Sequence, residues 1–94
     1  MCDIRELILR RRRQLLVHSV IYYRFNENLI SDQTWSNWAV ELEKLQKEYP
    51  KEAAEVELAE EFKNFNHSTG YNLPLEDPWA VGQARWLLSM AGII

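Results

Sequence analysis

A chain of 94 residues, 47% of them hydrophobic and with few glycines and prolines, has the make-up of one folded domain around one modest core. It contains no run of about 18 apolar residues, which excludes a membrane span. Its net charge of −3 hides a division: residues 1–24 set six arginines against Asp3 and Glu6, for +4, and residues 40–64 set eight glutamates against four lysines, for −4. A dipolar chain of this kind is a poor candidate for strong nonspecific DNA binding.

In chain order, the first helix is predicted over 3–22 or slightly beyond. Asp3 is its candidate N-cap, with Glu6 completing a capping-box-like pair. Ile4, Leu7, Ile8, Leu15, His18, Ser19 and Tyr22 recur at spacings of three and four and are expected on one packed face. A hairpin turn across 26–31 leads to a second helix starting at Ser31 or Asp32. There Trp35, Trp38, Leu42, Leu45 and Tyr49 repeat at strict 3-4-3-4 spacing, the narrow seam of a helix docked on another helix. Pro50 ends that helix and opens a third, expected over 51–65 with Leu58, Phe62 and Phe65 on one side. A connector over 66–78 holds Gly70, free to take positive φ, and Pro74 and Pro78, which lack a donor. Asp77 and Pro78 then read as N-cap and first residue of a last helix over 79–90. No alternating strand pattern occurs, so the expected fold class is all-α with about four helices.

The one cysteine, Cys2, has no internal partner and fits a reducing cytoplasm. Asp3, Arg5 and Glu6 also interrupt any secretory apolar stretch at the N-terminus. Both point to a cytoplasmic protein. The Asn66-His67-Ser68 triplet carries no weight without secretion. His18, His67 and Cys2 lack metal-ligand spacing, and no serine, histidine and acid are arranged as a triad.

Residues 18–50 carry a more specific pattern. His18, Tyr22-Tyr23, Ile30-Ser31-Asp32, Trp35, Glu41-Leu42 and Tyr49-Pro50 fall at spacings that match, without a gap, the small helical N-terminal region of bacterial NAD-dependent DNA ligases. The chain resembles that region over a little more than half its length. The resemblance implies a helical hairpin that closes over the nicotinamide mononucleotide half of NAD, aromatic rings flanking the nicotinamide and aspartates meeting the ribose. Residue by residue it nominates Tyr22, Tyr23, Asp32 and Trp35 as ligand-binding, and Arg24 is added as the nearest arginine for a phosphate. Ser36 stands where the family carries an aspartate, and Trp35 where it carries a tyrosine. No Lys-x-Asp-Gly motif, zinc-finger cysteines or OB-fold length follows, so transfer of AMP is not expected and the protein reads as a non-enzyme. A hairpin over 1–50 covered by helices over 51–94, in one domain, is the expected organisation, and small size with this resemblance points to a bacteriophage origin.

Each signal has a plainer structural meaning. Ser31-Asp32 is an ordinary helix start, with Asp32 chiefly a capping residue. Trp79 and Trp86, seven apart, are expected to pack inward. The run Arg10–Arg13 points around the whole helix circumference and is expected as a solvated face partly paired with the glutamates of the third helix. Changing Arg12 and Arg13 to Gln is then expected to cost less than about 1 kcal/mol. Three functions follow. The first is a non-catalytic binder of a nicotinamide-type or related nucleotide, with no resident cofactor. The second is an interaction module meeting a host protein, such as DNA ligase or a replication or defence factor. A nucleic-acid accessory protein ranks last.

Overall fold

The computed structural model describes residues 3–63, 65 and 73–94, which form four helices and no strand. Cys2, His67, Gly70 and most of the connector lie outside the described residues. The fold is all-α, as the periodicities predict. Helix α1 spans Ile4–Arg24, α2 Asp32–Glu48, α3 Pro50–Glu55 and α4 Pro78–Met90. None of them is long and apolar enough to cross a membrane.

Three helix starts follow directly from residue type. The Asp3 carboxylate accepts from the Arg5 amide, the Ser31 hydroxyl from the Thr34 amide, and the Asp77 carboxylate from the Ala80 amide. Each satisfies an amide that the first turn leaves without a partner. Asp32 is the first helical residue of α2, not its cap. Its charge still favours the positive end of the helix dipole. At the far end of α4, Gly92 takes φ +78°, donates to the Ser89 carbonyl, and lets Ile93 donate to that of Leu88. This is a Schellman closure, which needs a residue tolerant of the left-handed region.

Helix α1 is the centre of the molecule and touches all three other helices. Its run Leu15-Leu16-Val17 is buried throughout, as are Val20 and Ile21. Three consecutive buried positions cannot belong to a one-sided helix. The expectation of a single packed face was therefore too narrow, and Tyr22, expected on it, is exposed instead. Helices α1 and α2 form an antiparallel hairpin. Arg12 meets Gln46 and, two turns further along α1, Ser19 meets Trp35, so rising numbers on one helix meet falling numbers on the other. Helix α4 covers a different side of α1. It docks through Ala80, Ala84 and Leu88, all fully buried at spacings of four, and the two alanines permit close approach of the backbones.

The third helix is much shorter than expected. It stops at Glu55, where Val56 turns extended, and Leu58 then takes φ +73°. The chain continues in tight turns that bring Phe62 into the core. The cause lies outside the segment, in Arg12.

Candidate functional site

Arg12 stands between Ile8 and Leu15 on the inner side of α1 and is 1% exposed. Its guanidinium donates twice to Gln46 Oε1, at 3.1 and 2.9 Å, and once each to the carbonyls of Ala53, Val56 and Glu57, at 2.8 to 3.1 Å. Those five bonds use all five donors of an arginine. They also explain why α3 ends early. The Ala53, Val56 and Glu57 carbonyls turn to Arg12, and a charge-assisted bond competes well with a helix rung. Gln46 completes the arrangement by donating to the Phe62 carbonyl at 3.1 Å, and the guanidinium lies 6.0 Å from the Phe62 ring centroid. Burial pushes the Arg12 pKa below its ordinary value, against the opposing pull of Glu61. An open depression of about 310 Å³ adjoins this clamp between Pro50, Ala54 and Lys63. Arg12 has no donor left for a ligand there, so the clamp is structural. The arginine run is thus not one solvated face. Arg12 is a core residue, while Arg5 pairs with Glu55, Arg11 with Glu41 and Arg13 with Glu57. Within the run, the expected pairing with the glutamates of 51–65 holds for Arg13.

At the end of α1, Tyr22 and Tyr23 are about half exposed and pack edge to face, with ring centroids 4.9 Å apart. Arg24 reaches Glu76 at 3.7 Å. Asp32 is exposed, and its carboxylate has no partner among the described residues. Trp35 faces the other way. Its indole Nε1 donates to the Ser19 hydroxyl at 3.3 Å, and its ring meets Phe65 at 6.4 Å. Among the described residues no ring contact joins Trp35 to either tyrosine. The five nominated residues therefore separate into an exposed edge, made of Tyr22, Tyr23, Arg24 and Asp32, and an inward tryptophan.

One turn before the tyrosines, the His18 ring lies against Trp38 with centroids 5.7 Å apart, while the Arg11 guanidinium sits 5.6 Å from the same indole. His18 Nδ1 is buried without a hydrogen-bond partner among the described residues, and burial lowers the pKa of the ring. Among the described residues, no three of His, Cys, Asp and Glu are grouped to hold a metal ion.

The third surface is the outer side of α4. Trp79, Trp86 and Met90 are 44%, 57% and 69% exposed, and Ile93 and Ile94 beyond the helix are also exposed. The expectation that both tryptophans pack inward is overturned. At about 100° per residue, positions 79, 86 and 90 fall within roughly 40° of one another and nearly opposite Ala84. Ala80, Ala84 and Leu88 take the inner side because small residues let α4 sit closer to α1 than two indoles could. The Arg13 guanidinium, 5.3 Å from the Trp79 ring, reaches across to this stripe. No family description, curated protein or solved structure matches the chain.

Proposed function

We propose that this protein is a non-catalytic interaction module whose outer α4 face docks on a partner protein. The observation that carries this reading is the row of Trp79, Trp86 and Met90, exposed on one side of α4 while Ala80, Ala84 and Leu88 close its other side on the core. Apolar patches of this kind mark contact sites, and tryptophan is a favoured anchor in them. The ligase-like pattern over 18–50 supports a setting in DNA ligation, replication or defence, with the chain encoded by a bacteriophage and acting on a host protein. A photo-crosslinking amino acid placed at position 86 should give a discrete protein adduct in cells, and the same group at exposed Lys51 should give none. Absence of any discrete adduct at 86 would end this reading.

A second reading keeps the tyrosine edge as a site for a nicotinamide-type nucleotide. It is favoured by the exposed Tyr22–Tyr23 pair beside Arg24, because aromatic faces attract a cationic ring and a guanidinium meets phosphate. Nicotinamide mononucleotide or NAD should then raise the melting temperature, and Asp32→Asn should remove that gain without lowering the melt of the free protein.

A further inference from the structure

The exposed row of α4 is bordered by charge of one sign. Residues 78–94 contain no aspartate or glutamate, although the chain has 14, and their one charged side chain is Arg85. Arg85 is exposed and has no ion-pair or hydrogen-bond partner among the described residues, whereas Arg5, Arg11, Arg13 and Arg24 each reach a glutamate. On α4 it lies about 100° from Trp86 and about 100° from Ala84, at the border between the exposed row and the docked side. A side chain of that length can lie along apolar surface while its guanidinium stays in water. The Trp79 end of the row has a second cation, the Arg13 guanidinium, 5.3 Å from the ring. Glu57 offsets Arg13 in part, at 3.4 Å, which leaves Arg85 as the uncompensated charge.

Resting on the interaction reading above, we infer that this row receives an acidic amphipathic helix of another protein. The apolar residues of that helix cover Trp79, Trp86 and Met90, and its flanking carboxylates meet Arg85. The shape follows from spacing. Positions 79, 86 and 90 repeat at seven and four, the seam that one helix offers to another, so a helix with apolar residues at three and four is its match. The charge follows from Arg85. Covering the row takes water from the guanidinium at its border, and a carboxylate replaces that water with two charge-assisted bonds that a neutral side chain supplies only weakly. Arg13 already rests on Trp79, so one anchor loses little freedom on binding. An anionic bilayer would also meet Arg85, but it would repel the rest of a chain of net charge −3.

Three helical peptides free of tryptophan test the match, alike in their apolar face and flanked by glutamate, glutamine or lysine. Binding to the whole chain is read by titration from tryptophan emission, which should move to shorter wavelength as Trp79 and Trp86 leave water. The glutamate peptide should bind about tenfold tighter than the glutamine one and the lysine peptide weakest, with the spread narrowing as salt rises. Trp86→Ser should weaken all three. Arg85→Glu, a change at an exposed position, should keep the helical circular dichroism and move the preference to the lysine peptide. Equal binding of the glutamate and glutamine peptides overturns the inference, as does a preference that Arg85→Glu leaves in place. Phosphatidylserine vesicles bound in place of the peptides, or a dimer in sedimentation without them, would put a bilayer or a second copy on the row and also overturn it. Where no peptide binds, the inference fails and the crosslinker at position 86 decides the rest. A discrete protein adduct keeps the interaction reading with a partner of other chemistry, whereas no adduct removes both.

Discussion

Single residues decide more here than their neighbours in sequence suggest. Four consecutive arginines look interchangeable, yet Arg12 is buried with five hydrogen bonds and Arg13 pairs at the surface with Glu57. Arg12→Gln strands the Gln46 amide oxygen and three backbone carbonyls in the interior, and should cost about 3 kcal/mol in chemical denaturation. Arg13→Gln removes an exposed ion pair and should cost less than about 1 kcal/mol. Equal effects of the two would refute the clamp. The expectation that both changes are mild rested on a solvated Arg12, which its burial contradicts, and the sequence held a clue. On the inner face of α1 the apolar positions skip from Ile8 to Leu15, two turns apart, so position 11 or 12 had to fill the gap between them. His18 supplies a pH effect. Its pKa in the folded state lies below the ordinary value of a histidine, because burial against Trp38 disfavours the imidazolium. The unfolded chain therefore binds the proton first, and stability should fall as pH drops below about 6.5, levelling once the folded-state pKa is passed. His18→Gln should flatten that part of a stability–pH curve. A wild-type curve already flat between neutral pH and that region would contradict the buried, unpartnered Nδ1.

At the scale of elements, what could be read in advance was set locally, and what could not was set by contacts between elements. The starts of α1, α2 and α4 follow from Asp3, Ser31 and Asp77, whose side chains cap their own first turns. The hairpin follows from the seam of Trp35, Trp38, Leu42 and Leu45, all in or against the core. The length of α3 could not be read, because nothing within residues 51–65 says that Arg12 will take their carbonyls. The orientation of α4 was equally hidden. Both of its faces are apolar, so periodicity alone could not choose between the Ala80, Ala84, Leu88 side and the Trp79, Trp86, Met90 side. Backbone proximity chose the alanines. Ala84→Leu should therefore force α4 away from α1 and cost about 2 kcal/mol. Trp86→Ser, on the opposite side, should leave the melt of a dilute sample nearly unchanged. The reverse order of effects would mean that the helix is docked by its tryptophans. The candidate corner was legible only in part for a similar reason. Tyr22, Tyr23 and Asp32 are exposed as a ligand edge requires, but the pattern of types could not reveal that Trp35 spends its indole N–H on Ser19.

The whole molecule presents its charge differently from its sequence. Counted along the chain, residues 1–24 look like a basic patch suited to phosphates. In the fold, Arg5, Arg11, Arg13 and Arg24 each face a glutamate, and Arg12 is out of reach of solvent. Among the described residues, Arg10 is the only arginine of that segment without a partner. Nucleic-acid affinity depends on how many phosphates a protein neutralises, each lowering log K by about 0.9 per decade of salt on duplex DNA. A segment with six free arginines would give a slope near −5, whereas one free cation beside repelling glutamates should give a slope near −1 and only weak binding. Fluorescence anisotropy with a short duplex should accordingly find no submicromolar complex at physiological salt. The charge reversal Glu57→Lys, which frees Arg13 and adds a cation beside it, should strengthen binding and steepen the salt dependence. A tight wild-type complex with a steep slope would mean that the ion pairs open to meet phosphate. The arginine helix, and not α4, would then be the working surface of the protein.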